Sequence, residues 1–340
     1  MPSGPSAVHA LFQQRVAGDE ALLRLAQLRF EQAGLAAEVH AGTPDELDRL
    51  LGFTPREAPP PVVHLDRRLD ILRQPDRDAV AGLARRFAGR VAGFVVHDRA
   101  DMPTRLDDLV AAAAEVDAAL ASLGPPPPRL YLEYAAGCEL GEFVEMGWRL
   151  RDFERVSLCV DTGHVGVREA RRQFARQHPG LGFDLADLEP GDPRLPELAA
   201  DVQAAVASAL PAVLHLAGTL AALDKPLHFH LHDGHPLVPG LADHFSFLTR
   251  LPVPFWYAGR ESLSPLYGPS GVDEIVRSAV EACTAVSFTL EIHQVEGRLP
   301  LGDAAGLFRH WSDTTNAERM NYVLAVLSEN ALLVTAALGQ

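Results

Sequence analysis

The stretch that decides the fold is Leu227-His228-Phe229-His230-Leu231-His232-Asp233, a short apolar run that carries three histidines. Alternate residues of a β-strand point to the same face, so His228, His230 and His232 are predicted to share one side of a strand. Three imidazoles at a period of two, closed by an aspartate, are poorly explained by packing alone. The pattern therefore predicts a metal or catalytic site at the end of this strand.

Five other strand-like segments end in the same kind of side chain. Each is a short apolar or β-branched run with an ionisable residue at or near its carboxyl end. In α/β folds ligands bind at the carboxyl ends of parallel strands, and in a closed barrel all of these ends meet on one face. The side chains that this pattern brings together are His64 of 61–66, His97 of 91–97, Glu133 of 129–134, Asp161 of 156–161 and Glu291 of 286–291.

The composition is that of an ordinary globular protein with a sizeable core. Of the 340 residues, 47% are hydrophobic and 22% are charged, and the formal net charge is −15. This acidic balance gives no general attraction to a polyanion, so we expect no nucleic-acid partner.

The cysteines and the apolar runs indicate the compartment. Cys138, Cys159 and Cys283 are too few and too scattered for a disulfide framework or a cysteine-based zinc module, which fits a reduced, cytoplasmic setting. The first residues show no signal-peptide pattern, and no run approaches the ~18 apolar residues that a membrane span needs. We therefore expect no membrane partner, and we leave a homo-oligomer open.

Strands and amphipathic helices alternate along most of the chain. A helix is predicted over 8–33 and a first strand over 35–40, ahead of the segments named above. Repeated β-α units imply a parallel sheet with right-handed crossovers. With an eighth, short strand near Asp243, the pattern predicts a single (β/α)8 TIM barrel over residues 1–340 rather than an open doubly wound sheet.

Two irregular stretches interrupt this alternation. Residues 165–224 are predicted to form a helical insertion, and residues 234–270 an insertion of loops. The second stretch contains Trp256 and Arg260, which are candidate substrate contacts because loops at this face of a barrel carry binding residues. The tail, 303–340, is predicted to be a C-terminal helical extension on the outside of the barrel.

The ordered strand ends resemble the xylose isomerase-like TIM barrels, a superfamily that holds sugar phosphate isomerases and epimerases and endonuclease IV (AP endonuclease family 2). The resemblance covers roughly residues 35–300. Four motifs carry it. They are Leu132-Glu133-Tyr134-Ala135-Ala136-Gly137 for the fourth strand, Cys159-Val160-Asp161-Thr162-Gly163-His164 for the fifth, His230-Leu231-His232-Asp233 for the sixth and Leu290-Glu291 for the eighth.

The resemblance implies a divalent-metal site and names its residues. The implied ligands are Glu133, Asp161, His230 and Glu291, and the implied catalytic residues are Glu133, Glu291 and His164. In the endonuclease-like members further histidines build a multinuclear zinc site, and the positions that match them here are His64, His97, His164 and His244. One departure is that Asp243 directly precedes His244, where the endonuclease pattern is Asp-x-His; this shift argues against a third metal.

The chemistry of these side chains agrees with a metal-dependent reaction. Two Glu, one Asp and one His suit Mn²⁺, Mg²⁺ or Co²⁺, while extra imidazoles favour Zn²⁺ or Fe²⁺. A metal that chelates a carbonyl and its neighbouring hydroxyl acidifies the C–H bond and stabilises an enediolate. Glu133 and Glu291, expected on opposite sides of the barrel, would then move the proton. The prediction is an isomerase or epimerase of a sugar, sugar phosphate or related polyol.

Two other enzyme classes stay open. A multinuclear zinc phosphodiesterase acting on DNA is supported by the additional histidines and opposed by the acidic balance, and an iron-dependent oxidative barrel enzyme is compatible with a histidine-rich site. His64, His97 and His232 are alternatively substrate contacts. His228 is expected to pack in the core or orient a ligand, and His9 to be a surface or helix residue without a role.

Overall fold

Eight parallel strands form a closed barrel. The computed structural model describes residues 8–11, 20–54, 58–188, 192–234, 236, 244–245, 256–257, 260–261, 266–291 and 317–338. The barrel strands are β1 (Val8–Leu11), β2 (Ala36–His40), β3 (Val62–His64), β4 (Gly93–His97), β5 (Arg129–Tyr134), β6 (Val156–Asp161), β7 (Leu227–Leu231) and β8 (Val286–Glu291). Their order around the barrel is β1-β8-β7-β6-β5-β4-β3-β2, and β1 pairs with β2 to close it. The predicted (β/α)8 TIM barrel is confirmed.

Helices surround this barrel. They are α1 (Glu20–Gln32), α2 (Pro44–Leu51), α3 (Gln74–Arg86), α4 (Leu106–Ala121), α5 (Leu140–Leu150), α6 (Thr162–Gln177), α7 (Leu195–Ala207), α8 (Ala209–Ala221), α9 (Gly268–Ala282) and α10 (Ala317–Ala337). Three helices, α6 to α8, connect β6 to β7, and α8 contacts α5, α6 and α9. The last described helix, α10, contacts both α1 and α9, so it lies between these two helices in the outer layer.

The eighth strand lies at the N-terminus, which corrects two predictions. Val8–Leu11 is β1 and pairs with both β8 and β2, so the helix predicted over 8–33 was wrong at its start; it begins at Glu20. Near Asp243, His244–Phe245 pairs antiparallel with Asp233–Gly234, outside the barrel. A four-residue apolar segment has too little periodicity to distinguish strand from helix, and pairing with two neighbours decides its conformation.

Among the described residues, one stretch is long and apolar enough to cross a membrane, which the sequence analysis did not predict. Leu195–Ala221 meets the criteria of length and composition, and 39% of its apolar window is buried. It comprises two helices, α7 and α8, that pack in the outer layer of the barrel against α5, α6 and α9. A core helix passes the same test, so the stretch is weak evidence for a membrane span.

The described side chains inside the barrel divide into an apolar side and a polar side. Val62, Val95, Tyr131 and Cys159, from β3 to β6, form an apolar cluster that is separate from the main core between strands and helices. The opposite side, built by β1, β2, β7 and β8, contributes a different set of buried side chains. They are His9, Glu38, His228 and Thr289. His9 is therefore a barrel residue, and its expected place on the surface was wrong.

Buried carboxylates fix the loops that follow the strands. Asp98, after β4, accepts hydrogen bonds from the backbone N–H groups of Ala135, Gly137 and Cys138, at 2.9, 3.0 and 3.2 Å. Asp233, after β7, accepts from the N–H of Gly268 at 2.8 Å, where α9 begins. Because these carboxylates satisfy backbone donors in neighbouring loops, they hold adjacent strand ends at fixed spacing.

Gly166 in α6 sets how closely α6 and the start of α9 approach. The Tyr267 hydroxyl donates to the carbonyl of Thr162 at 2.5 Å, and a Cβ at position 166 would lie 2.1 Å from that hydroxyl oxygen. We expect Gly166→Ala to lower the free energy of unfolding by about 1–3 kcal/mol through overpacking. Chemical denaturation of the metal-free protein measures it.

The matched control for this prediction is Gly82→Ala in α3, where no atom lies within 4 Å of the new Cβ. Alanine has the higher helix propensity, so this variant should gain stability by up to ~1 kcal/mol. Equal unfolding midpoints for the two variants would show that the close approach of α6 and Tyr267 is unimportant.

Candidate metal centre

The carboxyl ends of the strands bring the predicted ligands together. Glu133, Asp161, His230 and Glu291 come from the four consecutive strands β5 to β8, and each is at most 4% exposed. The strand register explains this arrangement, because Asp161 stands directly beside His230 and His97 directly beside Glu133. Side chains of one face at the same level of a barrel point into the same space.

A main cluster consists of Asp161, His230, His232 and Glu291, each of which offers one ligand atom within 4.8 Å of the others. The Nε2 of His232 lies 2.7 Å from Oε2 of Glu291 and 3.1 Å from Oδ2 of Asp161. The Nδ1 of His230 lies 3.3 Å from the same glutamate oxygen. His232 thus reaches the same centre as three of the four implied ligands, although the sequence suggested it as a substrate contact.

A second cluster lies beside it and is built by His64, His97 and Glu133. The Nε2 atoms of His64 and His97 lie 3.1 and 3.3 Å from Oε2 of Glu133. The other oxygen of Glu133, Oε1, lies 3.1 Å from Nδ1 of His230. Glu133 therefore faces both clusters, one with each oxygen.

The relative position of Glu133 and Glu291 differs from the expectation. Glu133 and Glu291 were expected on opposite sides of the barrel, yet an oxygen of each lies within 3.3 Å of the same nitrogen, Nδ1 of His230. Their strands are three apart in the barrel, so the two carboxylates converge instead of facing each other.

His164 lies at the edge of the centre. It forms a third group of possible ligands with Glu133 and Asp161, and its Nε2 is 3.9 Å from Oδ2 of Asp161. Its backbone N–H donates to Oδ1 of Asp161 at 2.8 Å, so Asp161 also caps the N-terminus of α6. The side chains of His244, Trp256 and Arg260 lie outside the described residues, and their roles stay predictions.

The charges of the centre are those of carboxylates surrounded by imidazoles. Burial raises the pKa of Glu133, but the positive charges of His230, His97 and His64 outweigh it and hold that pKa well below its usual range. Burial lowers the pKa of His232, but Asp161 and Glu291 raise it to about 10. The pKa of His64 is raised to about 9, because Glu133 outweighs burial. The carboxylates thus attract positive charge strongly.

The donor atoms fit a divalent cation. The Oε2 of Glu133 is fully buried and makes no hydrogen bond to any described residue, although two histidine nitrogens lie within 3.3 Å of it. Ligand atoms that lie this close without forming a hydrogen bond are expected where both point at a third atom between them, such as a bound metal ion. Nitrogen and oxygen ligands in this number suit Zn²⁺, Mn²⁺, Fe²⁺ or Co²⁺.

Glu38 is a residue that the sequence analysis missed. It lies on β2 and is 1% exposed, with Oε1 at 3.1 Å from Nε2 of His230 and Oε2 at 3.2 Å from Nε2 of His228. The signal was present in the strand predicted over 35–40, because Glu38 and His40 alternate on one face and would place polar side chains inside the barrel.

The similarities to known proteins described here are remote. No family model and no curated protein matches the chain. Among solved structures, a xylose isomerase-like TIM barrel protein from Mycobacterium smegmatis in complex with magnesium shares 14% identity at a TM-score of 0.41, over 96% of this chain and 97% of that one. A citrate lyase from Burkholderia xenovorans LB400 has the same identity and TM-score, over 99% and 92%.

The carboxyl transferase domain of Rhizobium etli pyruvate carboxylase, with pyruvate and biocytin, shares 12% identity at a TM-score of 0.40 and covers 98% of this chain. The present chain spans about half of the length of that protein, 48%. At such identities and TM-scores the similarities carry no argument about function. The assignment of the barrel therefore rests on its own strand pairing.

Proposed function

We propose that this protein is a divalent-metal-dependent isomerase or epimerase that acts on a sugar, a sugar phosphate or a related polyol. The observation that carries the proposal is the buried cluster of Asp161, His230, His232 and Glu291 with Glu133 beside it. Carboxylates and imidazoles converge there at the face where barrel enzymes hold their active sites.

A cavity beside the centre has the size of a small substrate. Its volume is about 520 Å³, and His64 and His97 line its inner end while Arg67 and Arg68 line its rim. Pockets for small molecules fall in this range of volumes. A substrate in this cavity would lie against the two histidines whose nitrogens also approach Glu133.

The side chains of the centre have separable tasks in such a reaction. A bound divalent metal would polarise the carbonyl of the substrate and the neighbouring hydroxyl, which acidifies the C–H bond between them. The Oε2 of Glu133 lies towards the histidines of the cavity, and in this proposal it takes that proton and returns it. His64 directs its Nδ1 at the carbonyl of Leu65, at 3.2 Å, which keeps its Nε2 facing Oε2 of Glu133 at 3.1 Å.

A second candidate function is supported by the cluster of His64, His97 and Glu133. A single-metal isomerase does not need this second group of ligands, whereas a phosphodiesterase with two metals needs both. The net charge of −15 opposes DNA as its substrate. The same cluster would also serve an iron-dependent oxidative enzyme, and the identity of the metal separates these cases.

The proposal predicts exchange of a substrate hydrogen with solvent. In D₂O, the metal-loaded protein should incorporate deuterium at one carbon of its sugar substrate. Glu133→Gln should slow this exchange by about 10²-fold or more, because the amide cannot accept the proton. Mass spectrometry across a panel of sugars, sugar phosphates and polyols measures it.

The control for this experiment is Glu145→Gln on the exposed face of α5, which should exchange at the rate of the unaltered protein. No deuterium incorporation across the panel with metal bound would reject the isomerase. Full exchange by Glu133→Gln would instead show that the proton is moved by another residue.

Metal content separates the isomerase from the two alternatives. For the isomerase we expect one manganese, magnesium or cobalt ion per chain, and His97→Ala should keep it because the main cluster does not include His97. Elemental analysis of protein purified without chelators measures both. Two or more zinc or iron ions, with one lost in His97→Ala, would put phosphodiester or oxidative chemistry first.

Metal binding should also depend on pH. The pKa of His232 is raised to about 10, so at neutral pH its imidazole carries a proton that a metal must displace. Affinity should therefore rise with pH between 6 and 8, by about tenfold per unit for each proton released. Titrations with Co²⁺ at several pH values measure this slope, and an affinity that does not change with pH would mean that no protonated histidine is displaced when the metal binds.

A further inference from the structure

We propose that Glu38 is a positioning residue that selects which nitrogen of His230 faces the metal. This inference rests on the proposed metal-dependent function. Glu38 lies below the main cluster, inside the barrel, and reaches the centre through His230.

The contacts of Glu38 are all made within the buried interior. Its Oε1 lies 3.1 Å from Nε2 of His230, and its Oε2 lies 3.2 Å from Nε2 of His228 and accepts a hydrogen bond from the Thr289 hydroxyl. The side chains of Glu38, His228 and His230 have no exposed surface. A carboxylate buried so deeply and held from two sides has little freedom to turn away from His230.

His228 extends this set of contacts away from the metal centre. Its Nδ1 lies 2.7 Å from the Ser287 hydroxyl, and its Nε2 lies 3.0 Å from the Thr289 hydroxyl. Ser287 and Thr289, two residues apart on the same face of β8, therefore contact the two ring nitrogens of His228. His228 is fixed by these groups, and it fixes the second oxygen of Glu38 in turn.

The effect of Glu38 on His230 depends on the two nitrogens of the imidazole ring. A neutral imidazole carries one N–H, and a carboxylate oxygen beside Nε2 favours the proton on that nitrogen. In the metal-free protein Nδ1 is hydrogen-bonded to Oε1 of Glu133 at 3.1 Å and lies 3.3 Å from Oε2 of Glu291, so a metal would replace the proton at Nδ1 while the proton on Nε2 stays beside Glu38. Glu38 thus presents Nδ1 to the ligand cluster, and its negative charge makes that nitrogen a stronger donor.

The same atoms also permit a different role. Glu38, His64 and His230 form another group with ligand atoms within 4.8 Å of one another, and Oε1 of Glu38 makes no hydrogen bond of good geometry to a described residue. If Glu38 were itself a ligand, its removal would cost a bound ion. A positioning role costs affinity and leaves the number of ions unchanged.

The test compares Glu38→Gln with the unaltered protein, using Co²⁺ as the probe. We expect the affinity for Co²⁺ to fall by about 10–100-fold with unchanged stoichiometry at saturation, and the visible absorption bands of bound Co²⁺ to shift because one nitrogen ligand changes its orientation and basicity. Thr289→Val is the matched control. It removes one of the hydrogen bonds that hold Glu38 but keeps the carboxylate, so its affinity should fall clearly less than that of Glu38→Gln.

Three results overturn the inference. Unchanged affinity and an unchanged Co²⁺ spectrum in Glu38→Gln would mean that Glu38 only packs, and one ion fewer per chain would make it a ligand. An equal loss of affinity in Thr289→Val would assign the effect to the hydrogen bond and not to the carboxylate.

Folding and the proposed function are controlled separately. Thermal unfolding of the metal-free proteins shows whether Glu38→Gln folds, and if it does not, Glu38→Asp carries the same test, because the shorter side chain withdraws its oxygens from His230. Failure of the unaltered protein to bind Co²⁺ rejects the proposed function. Normal Co²⁺ binding with no effect of either Glu38 variant rejects the positioning role alone.

Discussion

The rest of the structure depends on the burial of four carboxylates inside a barrel whose available counter-charges are imidazoles. Glu38, Glu133, Asp161 and Glu291 are almost fully buried, and each lies against at least one histidine. Isolated ionised carboxylates cannot be buried without a large desolvation cost, so they require positive charge or a metal at close range. Unlike arginine and lysine, histidine can give up its proton and bind a metal through the same nitrogen, which makes this interior suited to exchanging protons for a cation.

The division of the barrel interior follows from this requirement. The apolar cluster of Val62, Val95, Tyr131 and Cys159 fills one side in the manner of an ordinary barrel. Histidines, Glu38 and the hydroxyls of β8 fill the other side, where each polar group needs a partner inside the protein. The packing of the apolar side stabilises the barrel, and the hydrogen bonds of the polar side fix the positions of its histidines and of Glu38. The centre lies where the two sides meet at the carboxyl ends of the strands.

Much of the fold and of the candidate site was predictable from the sequence because strand ends carry local signals. His230 and Glu133 stand at the ends of apolar runs, and barrel closure alone brings such ends together. β1 was missed because four residues hold no clear period, and its conformation depends on pairing with β8 and β2. Glu38 was missed for a related reason, since one glutamate within a short strand resembles an exposed residue until both neighbouring strands are known.

The two oxygens of Glu133 face different clusters, and this affects which reaction the centre could perform. Oε1 faces His230 in the main cluster and Oε2 faces His64 and His97 at the cavity, so one carboxylate spans both groups. If a single cation binds in the main cluster, Oε2 is left towards the substrate and is a base. If a second cation binds at His64 and His97, the same oxygen would be among the groups that hold it and could no longer accept a proton. Under the proposed function, the number of bound ions would therefore decide whether Glu133 is available for proton transfer or is used in metal binding.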